Sequence, residues 1–261
     1  DRILDLVTQW QARALDTLYP IVWMDGIHFK VRHNHRVISK VAYIAIGLNM
    51  QGKKEVMGIW IDHTENATFW MKVLDEFKER GVKDILITAT DNLKGFTAAI
   101  QAVFPKTLTQ VCVTHQIRNS LLYVSYKNKR EFASDLKLVY TAPTKEAGEQ
   151  ALGHLEEKWN KRYSHIIQSW KTNWDRLSVF FEFPAEIRRI MYTTNVIENF
   201  NRMIRKYTKN RLIFPNDEAV MKAVFLTVQQ VQGKWSAPIG DWEMILLQFY
   251  HLYPDRIKLH L

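Results

Sequence analysis

The chain has 261 residues, 47% of them hydrophobic and 24% charged, a composition that suits a globular protein with a substantial core and excludes a disordered tail. Its single cysteine, Cys112, excludes an internal disulfide and any zinc site built from several thiolates, in keeping with a reducing compartment, and no apolar run reaches the ~18 residues of a membrane span. Lys and Arg number 36 against 27 Asp and Glu, a net charge of +9, which favours a polyanionic partner without separating DNA from RNA or anionic lipid.

The opening DRILDLVTQW is charged and amphipathic, with no apolar core or small-residue cleavage site, so it does not resemble a secretory signal, and a cytoplasmic protein is expected. From Pro20 to about Asp62 three strand-like runs follow: IVWMDGIHFKV, VISKVAYIAIGL and KEVMGIWI. The breaks between them, RHNHR and NMQGK, are of hairpin size and predict an antiparallel meander. Phe69, Val73, Leu74 and Phe77 recur at helical spacing before Gly81, predicting a crossover helix over 66–80. DILITAT, 84–90, reads as a buried strand ending at Asp91; LKGFTAAIQAVF reads as a helix closed by Pro105, and LTQVCVTH as a further strand.

From Gln116 onward the periodicity is helical, predicting helices over 117–140, 144–162 and 164–181, then Ala185 to Lys209, Asp217 to Lys234, and a short one after Asp241. The order of elements predicts an α/β chain: a ribonuclease H-like mixed sheet with flanking helices, interrupted by an all-helical insertion. The expected organisation is a first part of the core at 1–115, the insertion at 116–183, and completion of the core at 184–261.

Three acidic residues stand out. Strand alternation puts Asp25 on the face of Ile21, Trp23, Ile27, Phe29 and Val31, and a carboxylate in an apolar stripe must be protonated, paired with a base or bound to a cation. Asp91 follows the carboxyl end of a strand, where open sheets place their ligand crevices, although capping of the next helix is an equally ordinary use for it. Glu198 lies on an amphipathic helix with Ile197, Phe200 and Ile204 as core positions; a capping box with Asn195 or an i,i+4 pair with Arg202 would explain it alone. Together, a central-strand Asp, a strand-end Asp and a helical Glu can converge at one sheet edge. Such a set supplies the hard oxygens that two Mg²⁺ ions need for in-line displacement at phosphorus, with Mn²⁺ as a substitute.

Several long, ordered segments resemble the Mutator-type transposases of bacterial insertion sequences. They are YPIVWMDGIHFKVR, TDNLKGFTAAIQAVFP, QVCVTHQIRNSLLYVSYK with its cysteine, two residues, histidine signature, FPAEIRRIMYTTNVIENFNRMIRK, FPNDEAVMKAV and GKWSAPIGDW. The resemblance implies a DDE transposase whose catalytic and metal-binding triad is Asp25, Asp91 and Glu198, acting on double-stranded DNA at transposon ends and target. It also implies a homo-oligomer, at least a dimer when active, in the bacterial cytoplasm and nucleoid-associated when bound to DNA. The insertion explains why Glu198 lies further from Asp91 than Asp91 does from Asp25. Members of that family carry helical DNA-recognition regions ahead of the catalytic core, and this chain begins shortly before the core, so recognition of terminal inverted repeats is not expected of it alone.

Cys112 and His115 form the accessory motif: the strand reading puts Cys112 inside and His115 at the rim, where the resemblance gives it a role in orienting a phosphate or an acidic ligand. Arg202, Arg205, Lys206, Lys209 and Arg211 make the strongest candidate for DNA-phosphate contact. Arg118, Lys127, Lys129 and Arg130 make a second stripe. Trp170 and Trp174, at i,i+4, are read first as core and second as a surface for an unpaired base, and the same holds for Trp235 and Trp242. Two other functions remain at this stage, a nuclease of the same fold that never joins strands and a non-catalytic DNA-binding or assembly module.

Overall fold

A computed structural model describes residues 1–62, 66–192 and 195–257, the side chains of Tyr192 and Asn195 excepted. It divides into two units, Asp1–Leu108 with Asn195–Leu261, and Thr109–Thr194.

The first unit opens with α1 (Arg2–Gln11), whose N-cap Asp1 accepts from Ile3 N. The meander follows as β1 (Leu18–His33), β2 (Arg36–Leu48) and β3 (Lys54–Asp62), paired antiparallel in sequence order. Asn34 and His35, at φ 47° and 62°, supply the left-handed pair that a two-residue hairpin turn requires. Asn66 caps α2 (Ala67–Glu79) by accepting from Phe69 N at 2.9 Å. The crossover returns as β4 (Asp84–Thr90), parallel to β1, and α3 (Phe96–Val103) leads to β5 (Leu108–Val111), within which the chain passes from one unit to the other. The mixed sheet has the order β3-β2-β1-β4-β5. Two boundaries differ from the sequence reading: α3 begins at Phe96 rather than near Leu93, and β5 stops at Val111, short of His115.

The second unit is helical: α4 (Val113–Leu122), α5 (Tyr126–Tyr140), α6 (Lys145–Thr172), α7 (Trp174–Leu177), a single 3-10 turn at Val179–Glu182, and α8 (Ala185–Tyr192). The expected helix over 117–140 is two helices broken at Val124-Ser125. The expected break near Tyr163 is a kink, with Tyr163 at φ −133° and ψ 40° inside α6. Phe132 of α5 meets Trp159 and Tyr163 of α6 edge to face at 5.5 and 5.6 Å. Trp170 and Trp174 are buried and their indole nitrogens donate to Ser120 Oγ and Glu149 Oε1, so both serve packing.

The chain re-enters the first unit with α9 (Asn195–Thr208), α10 (Asp217–Gln232) and α11 (Trp242–Leu252). The single helix expected over 185–209 is α8 and α9, and residues 193–194 between them lie outside the described residues. One sheet face, carrying Val22, Met24, Tyr43, Ala45 and Met57, is covered by Trp70, Val73 and Phe77 of α2 and Phe96 and Ile100 of α3. The other face carries Ile21, Trp23, Asp25 and Ile27, all buried; α9 packs against β1 and α10 against β3. Trp242 is buried with Nε1 donating to Met50 O at 3.0 Å, and the ring of Trp235 lies tilted against Phe200 at 5.9 Å. Among the described residues no helix is long and apolar enough to cross a membrane.

Candidate active site

The register of β1 places the first two carboxylates. β1 pairs with β2 as far as His33↔Arg36, but with β4 only as far as Met24↔Thr90. Asp25 and Asp91 are the next position on each of two adjacent parallel strands, where β4 ends and β1 runs on. Residues level with each other on parallel strands project from the same face, so the two carboxylates lie side by side. Asp91 does not cap α3, because the N-cap is Gly95. Asn92 at φ 68° and Gly95 at φ 77° turn the chain instead, and a Cβ on Gly95 would lie 2.4 Å from Ala67 N, so only glycine fits there.

Asp25 is 7% exposed. Its Oδ1 accepts from Gly26 N at 2.7 Å, and its Oδ2 accepts from Asn201 Nδ2 of α9. Burial, and next the neighbouring charge of Asp91, push the Asp25 carboxyl up to about 7, against the opposing pull of the Gly26 N–H and the Arg205 guanidinium. Asp91 Oδ1 and Asn201 Oδ1 are both buried without a hydrogen-bond partner. Two adjacent carboxylates, one made reluctant to ionise, and two orphaned hard oxygens form a donor set that fits a divalent cation.

Asn201, 1% exposed, is the residue the sequence reading missed. It sits among Ile197, Phe200 and Ile204 on the buried side of α9, and a lone amide in that stripe is the same signal that singled out Asp25. Glu198, Asn201 and Arg205 follow one another at three and four residues, so they share one helix face. Glu198 lies one turn before the residue that touches Asp25. Among the described residues no three His, Cys, Asp or Glu side chains gather closely enough to hold one metal ion, so the structure joins Asp25 with Asp91 and leaves Glu198 outside that group. The proposed Asn195–Glu198 capping box rests on the Asn195 side chain, which is outside the described residues; Arg202 Nη2 donates to Asn199 Oδ1 at 3.0 Å.

Arg202, Arg205, Lys206, Lys209 and Arg211 are all exposed. Arg205, Lys209 and Arg211 line a groove of about 730 Å³ whose opposite side is the free-running end of β1, including His28 and Lys30. The segment closing the groove is fixed to β1 like a short strand: Phe214 N donates to Lys30 O at 2.8 Å, Arg32 N donates to Phe214 O at 2.9 Å, and the rings of Phe29 and Phe214 meet edge to face. Arg205 therefore faces both Asp25 and the groove.

In the second unit, Cys112 is buried and is the N-cap of α4, its Sγ accepting from His115 N at 3.3 Å. The spacing of cysteine, two residues and histidine is thus that of a cap and the third residue of a helix, not of alternating strand positions. His115 lies in the first turn of α4, and Arg118, exposed, follows one turn later on the same helix.

The sequence profile of a family described as "Transposase, Mutator family" matches residues 1–238. The chain is 42% identical over 257 residues to the transposase for insertion sequence element ISRM3 of Rhizobium meliloti (strain 1021), an alignment covering 98% of this chain and 64% of that protein. It is 39% identical over 276 residues to a probable insertion-sequence transposase of Corynebacterium diphtheriae, covering 98% of this chain and 80% of the relative. A more remote relative, at 26% identity over 90% of this chain, is the transposase for IS256 in transposon Tn4001 of Staphylococcus aureus. The chain thus spans somewhat less than two thirds of the length of the first of these relatives.

Proposed function

The chain belongs to the Mutator family of transposases, and on that premise we propose that it is the catalytic region of a DNA transposase, a DDE enzyme that cuts transposon-end DNA and joins the released 3′-hydroxyl to a target strand. The observation that carries the reading is the carboxylate pair at the β1–β4 crevice, a buried Asp25 beside a half-buried Asp91, with Arg205, whose charge acts on Asp25, lining a groove along β1. In this reading the first unit is a ribonuclease H-like core and the helical unit is its insertion.

Asp25, Asp91 and Glu198 would hold two Mg²⁺ ions, with Mn²⁺ able to replace them. When bound, such ions supply Lewis-acid activation of the attacking oxygen and stabilisation of the leaving one. Glu198 has the side-chain length and the helix face to join the pair from α9. Asn201 holds the Asp25 carboxyl in one orientation and supplies a carbonyl oxygen beside it. Arg205, Lys206, Lys209 and Arg211, with Arg202 further up the helix, take the DNA phosphates along the groove, where cations in a partly enclosed channel act more strongly than on an open face. Double-stranded DNA is the partner, the active assembly is at least a dimer, and the protein works in the cytoplasm on the nucleoid.

A strand-transfer assay tests this. With a pre-nicked, labelled transposon end, a plasmid target and Mg²⁺ or Mn²⁺, the wild-type chain is expected to give joined product. Asp25→Asn, Asp91→Asn and Glu198→Gln are each expected to lose at least about a hundredfold while retaining duplex binding. Cleavage without joining would identify a nuclease instead, and activity surviving all three substitutions would show that other carboxylates do the chemistry.

A further inference from the structure

The corner between α4 and α5 exposes what a folded protein ordinarily hides. Leu122 is 75% exposed, Tyr123 66% and Tyr126 96%, three large apolar side chains within five residues. The corner is nevertheless firmly built. Val124 is buried between them, and the Tyr163 hydroxyl, at the kink of α6, accepts from Ser125 N at 3.3 Å and Asn128 Nδ2 at 2.8 Å and bonds Ser125 Oγ at 3.0 Å. The ring of Tyr123 stands perpendicular to His165 at 5.4 Å, which fixes its direction. Folding has therefore ordered this corner while leaving its rings in water, an arrangement that contributes nothing to the core and marks a contact surface.

The surrounding charge identifies the contact. Residues 118–130 contain Arg118, Lys127, Lys129 and Arg130 and no acidic residue, and all four cations are exposed. The nearest acid along α5, Glu131, is already paired with Lys158 at 2.7 Å. Exposed rings whose neighbours along the chain carry only positive charge suit a polyanion that also offers flat apolar faces. In an intact duplex the base faces are covered by their neighbours, so a protruding ring can stack only on a base that has left the helix.

We propose that the Leu122–Tyr126 corner, with Lys127, Lys129 and Arg130, is a binding site for unpaired DNA, Tyr123 and Tyr126 stacking on bases and the cations holding the adjoining phosphates. The site rests on the reading of the chain as one that acts on DNA, but it involves none of the acidic residues and needs no metal. It would hold strand ends or unpaired nucleotides of a processed transposon end, a DNA form distinct from the duplex assigned to the α9 groove.

Fluorescence anisotropy in EDTA separates the possibilities, using a labelled 15-nucleotide single strand and a blunt 20-base-pair duplex with the whole chain. The wild type is expected to bind both. Tyr123→Ala/Tyr126→Ala is expected to weaken single-strand binding about tenfold and duplex binding less than twofold, while Tyr123→Phe/Tyr126→Phe retains wild-type affinity because stacking needs no hydroxyl. Lys127→Ala/Lys129→Ala/Arg130→Ala should weaken single-strand binding and flatten its salt dependence. Because these side chains are exposed, unchanged circular dichroism will confirm that the variants fold. Single-strand binding unaffected by the alanine pair, or equal losses on both DNAs, would overturn the proposal. A change in sedimentation without a change in DNA binding would also overturn it, by showing a protein contact. Because these affinities are read in EDTA and the catalytic reading is tested by strand transfer with metal, failure of that reading and failure of this one are told apart.

Discussion

Asn201 reaches from the buried face of α9 to donate its amide to the Asp25 carboxylate on β1, tying the helix that bears Glu198 to the strand that bears the first aspartate. The two residues are 176 apart in sequence, and each is a polar side chain in an otherwise apolar stripe. The amide neutralises no charge. It satisfies one oxygen, fixes the carboxylate's rotation and leaves its own Oδ1 buried without a hydrogen-bond partner, as Asp91 Oδ1 is.

Asn201→Ala is expected to destabilise the chain by about 1–3 kcal/mol, because it leaves a buried carboxylate oxygen unsatisfied. At this chain length that corresponds to a fall in Tm of roughly 3–10 °C. Asn201→Asp should be worse without metal, as a third carboxylate joins two that already repel, and should recover more than the wild type when Mn²⁺ is added. Thermal melts with and without Mn²⁺ measure both. A Tm for Asn201→Ala equal to wild type would show that the amide plays no part in organising the site.

The carboxylate pair makes metal-free stability depend on pH. In the folded chain the Asp25 carboxyl is raised to about 7, by burial and then by Asp91, whereas an unfolded aspartate titrates near pH ~4. Folding therefore favours the protonated form: this group's stabilisation is complete below about pH 4, declines as pH rises and is gone above about 7. Between pH 5 and 8 the wild type is expected to lose roughly 2–3 kcal/mol relative to Asp25→Asn, which cannot ionise. Melting both proteins across that range tests it. Added Mg²⁺ or Mn²⁺ should restore the wild-type Tm at pH 8 and leave the variant unmoved, whereas parallel pH curves for the two proteins would mean that Asp25 ionises freely.

Cys112 is expected to matter as a cap and not as a redox or zinc thiol. Cys112→Ala removes the acceptor for His115 N and should cost about 1 kcal/mol, whereas Cys112→Ser keeps an acceptor at the position where serine is a preferred cap and should retain most of the stability. Amide exchange at Val113 to His115 gives the sharper readout: it should accelerate in the alanine variant alone. Equal exchange in all three proteins would refute the capping role.

How far the sequence was legible depended on the length and environment of each element. The meander was readable because its apolar runs are separated by hairpin-sized breaks, and the alternation in the second half of β1, with Ile27, Phe29 and Val31 buried between exposed His28, Lys30 and Arg32, exposed Asp25 as out of place on the same face. Asp91 was ambiguous because nothing in DNLKG states that the helix waits until Phe96; that follows from Gly95 packing its backbone against Ala67, a contact between residues far apart in the chain. VCVTH was read as strand because five residues cannot distinguish an alternating strand from a strand end followed by a capped helix. Asn201 went unread beside the acidic residue three positions earlier. Its polarity was visible, but its partner lies on a strand 176 residues earlier in the chain.

Arg205 offers a test that joins the two halves of the proposed site. It shares a face of α9 with Asn201, it lines the groove along β1, and its charge draws the Asp25 carboxyl down against burial. Arg205→Ala should therefore act twice. Losing one phosphate contact should lower duplex affinity and reduce the slope of log K against log salt by about 0.9. Losing the nearby positive charge should move the Asp25 titration above 7, seen as a shift of the pH-dependent melting curve to higher pH. Arg205→Lys keeps the charge but not the planar fork, so it should preserve most of the salt slope while loosening any bidentate phosphate contact. If Arg205→Ala changes the slope alone, the arginine belongs to the DNA track and not to the carboxylate pair; if it changes the titration alone, the groove does not carry DNA past the carboxylates.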